Sequence, residues 1–409
     1  MHTFIPRQES DHSCHDSCPS ALRLFPAQDG GIARIRKPGS LFTPAELHFL
    51  GEAAAHYGDG FLHLSNRSHP QLRGVRKGDM HQGLIADIVA AGLLPHPTHD
   101  SVRTILVSPL HHSEGPSADS LARLVDELDQ ALCACPAVAD LSGRTIIALD
   151  NGSGDVCYER PDLGAVAQPN GSWMILLAAA PTPLTCAQNH LVEILAAAAQ
   201  YYAEFPRQQW RMVDEEQCRE TILMQLREHY SRQLTELKDA DVSLPPRFQP
   251  TAGITADTVV ATIPFGRMTA EAAQELAGFG YSVRFTPWHS VAIYGVSAAA
   301  RDDLCTALTR LGMSVDPRHP ANWISACGGQ PGCRRAHADV RGDAWQQMHS
   351  SDYQPGVRIH YVGCARRCGH PNAQHWERLA TAQGEYVETL MDADGRTPVT
   401  SGGHQLHEL

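Results

Sequence analysis

The chain has 409 residues, of which 43% are hydrophobic and 12 are cysteine, and its formal net charge is -12. Roughly two to four structural units fit that length, the acidic balance argues against non-specific nucleic-acid binding, and the longest apolar stretch, residues 173–180, is too short to span a bilayer and is followed by Pro181 and Pro183. With no secretory h-region at its start, the cysteines are expected as reduced thiols or ligands in the cytoplasm rather than as a disulfide framework.

Near the start His12, Cys14, His15 and Cys18 crowd together, a spacing that suits zinc or iron but that a chain with 23 histidines also produces by coincidence. Residues 31–38 (GIARIRKP) read as a strand, and a helix over 41–57 follows, opened by Thr43-Pro44-Ala45-Glu46, a capping box with proline at its first helical position. Gly58 and Gly60 close it. Alternating runs at 61–65 (FLHLS) and 71–75 (QLRGV) predict paired strands, and a second helix is expected over 81–94. The unit is β-α-β-β-α. Beyond it come a strand at 102–109, a helix over 117–132 and a strand over 144–149. His111 and His112 follow Ser108-Pro109-Leu110 and read as solvated loop histidines, although adjacent imidazoles also suit a metal or proton donation. Gly152-Ser153-Gly154 lacks the third glycine and the amphipathic helix of a phosphate cradle, so no nicotinamide or flavin site is expected and electrons must come from outside.

The same order then returns. A strand at 258–264, a helix from Thr269 to the glycines at 278 and 280, paired runs at 282–286 and 291–296, and a helix through Leu311 repeat the first unit. The parallel continues through 321–326, a helix over 334–348 and a strand over 357–362. Two homologous halves are therefore expected in an α+β fold, paired about a pseudo-two-fold axis. The division is a ferredoxin-like half-domain at 18–98, a larger α/β domain at 99–202, a helical connector at 203–250 with a charged stretch at 215–237, a second ferredoxin-like half-domain at 251–318 and a second α/β domain at 319–400. The tail from Asp392 is expected to be mobile.

Four cysteines near the end carry the chemistry. Cys327 and Cys333 read C-x5-C, and Cys364 and Cys368 read C-x3-C, each pair in Gly-rich loop sequence. Zinc would favour two short C-x2-4-C knuckles, whereas a [4Fe-4S] cube needs thiolates converging from different loops, which unequal spacings suit. Four unconnected buried thiols are the bland alternative.

Together the repeat and the cysteine set resemble the sulfite and nitrite reductase superfamily, which binds sirohaem beside a [4Fe-4S] cluster. The resemblance spans roughly residues 18–400. It is carried by 58–75 (GDGFLHLSNRSHPQLRGV), similar to the family's first tetrapyrrole-contact motif, by its counterpart 282–290 (SVRFTPWHS), and by 363–371 (GCARRCGHP). Within the superfamily, CPSALR at 18–23, Phe265-Gly266, Thr286-Pro287-Trp288 and AHADVR at 336–341 are most similar to the precorrin-3B synthase branch.

That resemblance implies a polycarboxylated ring in the site, with arginines as bidentate partners. The implied tetrapyrrole-binding residues are Arg67, Arg73, Arg103, Arg144, Arg284 and Gln71, and Cys368 is the implied bridging ligand. Arg334, Arg335, Arg366 and Arg367 flank the thiolates and either offset the cluster's charge or form a solvated rim, while His370 meets a substrate carboxylate or fixes its turn. In small-anion reductases of the superfamily one loop supplies two lysines. Here it maps onto 141–146 (LSGRTI), with Arg144 at one lysine position and Ile146 at the other. An aliphatic side chain there weakens six-electron reduction of sulfite or nitrite, the alternative activity. It favours oxygen-dependent hydroxylation of precorrin-3A with lactone formation, driven by a [4Fe-4S] cluster and an external donor such as a ferredoxin or a reductase. Whether sirohaem or a mononuclear iron accompanies the cluster is left open.

Overall fold

The computed structural model describes residue 16 and residues 18–399, apart from 256, 351, 352 and 393–397. The His12, Cys14 and His15 of the amino-terminal cluster, and most of the tail expected to be mobile, lie outside the described residues. The chain forms two compact units, one containing residues 30–315 and the other residues 316–392.

In the larger unit the repeat is realised as two sheets that exchange edges. Strands β1 (Gly30–Arg34) and β2 (Leu41–Phe42), helix α1 (Pro44–Tyr57), the hairpin β3 (Phe61–Leu64) and β4 (Pro70–Val75) and helix α2 (Asp79–Ala90) make the first copy. After an α/β module come β11 (Thr258–Thr262), β12 (Arg267–Thr269), α6 (Ala270–Gly278), the hairpin β13 (Val283–Phe285) and β14 (Ser290–Ile293), and α7 (Arg301–Arg310). The first sheet runs from an outer strand at Phe25–Ala27 through β1-β4-β3-β12, and the second from an outer strand at Gly253–Thr255 through β11-β14-β13-β2. Each copy thus lends the short strand before its first helix to the other copy's open edge, Met268 pairing with Leu62 and Phe42 with Val283. An unpaired edge exposes a row of backbone donors and acceptors, and the exchange satisfies both rows.

The helices that follow the exchanged strands start alike. The Thr43 hydroxyl accepts from Glu46 N and the Glu46 carboxylate accepts from Thr43 N, completing the capping box, while Thr269 accepts from Ala272 N. Leu47, Leu50 and Ala54 of α1 join Ala273 and Leu276 of α6, with Leu62, Leu72, Val283 and Phe285, in one buried core. The two helices meet at Gly51, where an added Cβ would lie 2.8 Å from the Ala270 carbonyl oxygen and 3.3 Å from Ala273 Cβ.

Between the copies, β5 (Ile105–Val107), β6 (Ile147–Asp150) and β7 (Leu163–Ala167) run parallel, and β8 (Ser172–Leu177), β9 (Ala180–Ala187) and β10 (Leu234–Glu236) extend the sheet antiparallel. Helices α3 (Ala118–Ala134), α4 (Gln188–Glu204) and α5 (Glu216–His229) cover it. Residues 203–250, expected as a connector, are part of this module. Cys218, Ile222 and Leu226 of α5 are buried in its core and β10 pairs with β9, because the charged helix keeps an apolar stripe. Cys186 and Cys218 are core thiols that behave as small hydrophobes.

The smaller unit repeats that topology in miniature. Strands β15 (Ile324–Ala326), β16 (Ile359–Val362) and β17 (His375–Ala380) are parallel and β18 (Tyr386–Met391) is antiparallel, with α8 (Val340–Met348) after the first strand. The sequence predicts that helix from residue 334. It begins at Val340 because Asp339 caps it, accepting from Gly342 N, and the preceding glycine-rich stretch is loop.

Gly51→Leu should wedge α1 from α6 and cost about 1–3 kcal/mol. Thermal denaturation should show a lowered midpoint, and an unchanged one would contradict this packing.

Candidate functional site

The two α/β modules are topologically matched, so the loops after their first two strands correspond. In the smaller unit these loops hold the cysteines. Cys327 follows β15, Cys333 lies in the same loop, and Cys364 and Cys368 lie in the turn after β16. Gly363 N donates to Cys327 Sγ at 3.2 Å, the kind of backbone hydrogen bond that tunes a thiolate ligand. Burial pushes the Cys327 thiol up, opposed by backbone donors at Gly363 and Gly329 and reinforced by Cys364 and Cys333. Burial also pushes Cys368 up to about 11, with Cys327, Cys364 and Cys333 adding to the effect, so the four thiols share one electrostatic neighbourhood although Cys368 reaches the surface. Glycine is required where the loops touch. A Cβ at Gly363 would lie 2.6 Å from Ala336 Cβ, and Gly329, at φ +59°, would meet Val340 Cγ2 at 2.8 Å.

Among the described residues no three His, Cys, Asp or Glu side chains converge on a single metal ion. A multi-iron cube takes its thiolates at separate corners, and four cysteines with a backbone donor on sulfur fit that group. The flanking arginines differ from one another. Arg334 and Arg335 are exposed, Arg366 is half-buried and draws the Cys368 thiol down, and Arg367 is fully buried, its Nε 2.9 and 2.6 Å from the Glu377 carboxylate oxygens. Arg367 is thus neutralised inside the unit and belongs to neither expected class. His370 Nδ1 lies 3.4 Å from the Pro371 carbonyl, within its own turn.

The larger unit gathers positive charge. Arg34 on β1 and Arg36 beyond it stand near Arg67 in the β3–β4 turn. Gln71, with its amide oriented to suit its neighbours, accepts from Arg34 Nε at 3.1 Å and Nη2 at 2.8 Å. The Gly143 carbonyl accepts from Arg36 Nη2 at 3.3 Å and Arg67 Nη1 at 3.1 Å, and Asp16 holds that loop by accepting from Gly143 N and Ser142 Oγ. Burial, then repulsion from Arg36 and Arg67, lowers Arg34 to about 9, and burial lowers Arg67 to about 10. Both remain cations at neutral pH. His69, fully buried with Nε2 3.1 Å from Thr104 Oγ1, is held well below the usual imidazole range by burial and by Arg36, Arg34, Arg67 and Arg103. Arg34 Nη1 and Arg36 Nε are buried without a hydrogen-bond partner. Desolvated cations with spare donors favour an anion.

Of the arginines read from sequence, only Arg67 lies within this group, with Gln71 beside it. Arg73 is half-buried further along β4. Arg103 is spent on Asp129, its Nε and Nη2 donating at 2.8 and 2.6 Å, because α3 brings that carboxylate over it. Arg144 stacks over Trp210 at 5.5 Å, and Ile146 packs with Leu106, Ala148 and Val156. Arg284 is buried on β13 of the other sheet, where Nη1 donates to the Ser108 carbonyl at 3.1 Å. Arg34, Arg36 and His69 were missed. The signal was present, since arginines two apart in a strand sequence share a face.

In the larger unit the loops matching the cysteine loops carry carboxylates instead. Asp150 accepts from the backbone N–H groups of Gly152, Gly154, Asp155 and Cys157. Asp155 accepts from Ser108 Oγ at 2.6 Å, and its buried Oδ2 has no partner. Burial and the Asp150 charge raise Asp155 to about 8. His111 is exposed and His112 half-buried.

Residues 25–83 match the nitrite/sulfite reductase ferredoxin-like half domain. In overall structure the chain is similar to the Mycobacterium tuberculosis NirA protein, with a TM-score of 0.72 and 17% identity over 93% of this chain and 77% of that one. The chain has the nitrite/sulfite reductase fold. In sequence this nitrite/sulfite reductase-like chain is 23% identical over 398 residues to a precorrin-3B synthase of a Sinorhizobium species, covering 90% of this chain and 81% of the relative.

Asp155 sets a pH dependence. Its folded pKa, about 8, lies above the ordinary 3.8, so between those values the folded chain holds a proton that the unfolded chain releases. Stability must therefore fall as pH rises through that window. Asp155→Asn keeps the Oδ1 acceptor and should flatten the decline in melting temperature between about pH 5 and about pH 8. Equal slopes for the two proteins would refute the assignment.

Proposed function

We propose that this chain is an iron-sulfur oxidoreductase acting on a tetrapyrrole, with precorrin-3B synthase activity: oxygen-dependent hydroxylation of precorrin-3A with lactone formation, in cobalamin biosynthesis. One observation carries the reading. Arg34, Arg36 and Arg67 form a largely buried cationic group with unused donors on Arg34 and Arg36 and, among the described residues, no carboxylate hydrogen-bonded to it, within the segment matching the family half-domain. Precorrin-3A is a polycarboxylate, and each arginine-carboxylate bond it makes is charge-assisted.

The named relative supports the same substrate class. Cys327, Cys333, Cys364 and Cys368 would hold a [4Fe-4S] cluster, which when bound supplies single electrons. This chain's residues bind and orient the ring. Arg34 and Arg67 present guanidinium donors, Gln71 fixes the plane of Arg34, Gly143 holds Arg36 and Arg67 through one carbonyl, and neutral His69 avoids a further positive charge among them. Reduction of sulfite or nitrite fits less well. Ile146 is buried among apolar side chains where a proton-delivering cation would be needed. The reading requires dioxygen and an external donor such as a ferredoxin or a reductase. It sets the reaction in the cytoplasm, where thiols stay reduced. No helix among the described residues is long and apolar enough to cross a membrane.

Anaerobically reconstituted protein given precorrin-3A, a reductant and isotopically labelled dioxygen should yield a ring product carrying the label by mass spectrometry. Unaltered substrate, or a sirohaem spectrum with sulfite turnover, would refute the proposal. Arg67→Met, losing a charge-assisted bond of about 1.5–3 kcal/mol, should weaken ring binding about 10- to 100-fold by absorbance titration. Lys238→Met, distant in sequence from the cationic group, should leave it unchanged.

A further inference from the structure

We propose that His360 is a positioning residue for the last thiolate ligand: it fixes the backbone of Cys368 and so sets the electronic environment of the cluster. This rests on the cluster reading above and adds a residue to it.

His360 lies on β16, fully buried, in the middle of the smaller unit's sheet. Its Nε2 is 3.2 Å from the Cys368 carbonyl oxygen, which can only accept, so Nε2 donates. Its Nδ1 meets the Ser325 hydroxyl at 2.8 Å, two residues before Cys327. One imidazole therefore bridges the strand that leads into the first ligand and the turn that carries the last. The turn crosses directly over the ring. A Cβ at Gly369, at φ +78°, would lie 3.9 Å from His360 Cε1. His375 packs against the same ring, edge-on with ring centroids 6.0 Å apart and held by Nδ1 donating to the Ala373 carbonyl at 2.7 Å. A second anchor lies one residue before Cys368, where Arg367 takes φ +50° and is fixed by its buried pair with Glu377. Cys368 is thus pinned on both sides of its Cα, by Arg367 through the preceding residue and by His360 through its own carbonyl.

The paired modules supply a control within the chain. In the parallel ladder of the smaller unit Ser325 pairs with His360, and at the same register of the larger unit Leu106 pairs with Ala148. Leu106, Ala148 and His360 are buried and Ser325 is half-buried. The module without ligand cysteines fills the position with hydrocarbon, and the module with them spends a polar pair on it. A buried polar group costs stability unless it is bonded, and the two ring nitrogens of His360 are bonded to the strand before Cys327 and to the carbonyl of Cys368.

The test compares wild type with His360→Leu, His360→Asn and His360→Gln after anaerobic iron-sulfur reconstitution. Iron and sulfide content, the midpoint potential, the electron paramagnetic resonance of the reduced cluster and backbone hydrogen exchange over 364–370 are measured. Glutamine places an amide N–H near the position of Nε2, whereas asparagine reaches only the Nδ1 side. Potential, resonance and exchange should shift in the leucine and asparagine variants and return toward wild type in the glutamine variant. A leucine variant with full iron content and wild-type potential, resonance and exchange would overturn the proposal. So would a glutamine variant as altered as leucine. If wild type itself takes up no iron, the cluster reading falls and the proposal with it, a result distinct from either of these.

Discussion

Hydrogen bonding at sheet edges is the constraint on which the larger unit depends. A β-α-β-β-α unit alone leaves one edge of its sheet open, and a short sheet with an open edge invites pairing with another chain. Here Leu41–Phe42 and Arg267–Thr269 are exchanged, so neither copy is complete without the other. The exchange also fixes where α1 and α6 begin, because each helix is capped by a threonine at the end of a lent strand. Their close approach at Gly51 and their common core follow from that starting point. The Arg34, Arg36 and Arg67 group inherits its rigidity from this arrangement, since β1 and the β3–β4 turn belong to one of the two interlocked sheets.

Duplication then allowed the α/β modules to diverge at matched positions. Parallel strands present their carboxyl ends on one side, and the loops there are free to change while the ladder is kept. In one module those loops carry Ser108, Asp150 and Asp155, with one carboxylate satisfied by backbone N–H groups and another raised to about 8. In the other they carry four thiols. Both choices place ionisable groups where backbone donors converge, so the shared framework favours negative charge and the side chains decide which kind.

Much of the fold was legible because its signals are local. The capping box at Thr43, the glycines at 58 and 60 and the alternating runs at 61–65 and 71–75 each name an element, and their return near residue 258 reveals the repeat. What the sequence hid is long-range. Nothing local says that Leu41–Phe42 pairs with a strand over two hundred residues away, or that the charged helix Glu216–His229 turns an apolar stripe inward. At the site, cysteine spacing is what suggests the proposed ligand set, because few other arrangements need four thiols in glycine-rich loops. Arginines are harder, since their role depends on what neutralises them. Arg103 and Arg67 look alike in sequence, yet Asp129 on α3 occupies the first and the Gly143 carbonyl meets the second.

That difference in neutralisation is what gives the larger unit a direction. A buried ion pair such as Arg103 with Asp129 is self-sufficient, and breaking it leaves an uncompensated charge. Arg34, Arg36 and Arg67 repel one another, lean on the neutral acceptors Gln71 and Gly143, and leave two donor nitrogens, Arg34 Nη1 and Arg36 Nε, unused. In a chain of net charge -12, carboxylates abound, yet none is hydrogen-bonded to these three among the described residues. Holding such a group desolvated costs the free protein stability, and that cost is recovered when an anion completes it. On the function proposed above, that cost is what favours a ligand with several carboxylates over one with a single charge, because the unused donors belong to two different side chains, Arg34 and Arg36, with the Arg67 cation beside them.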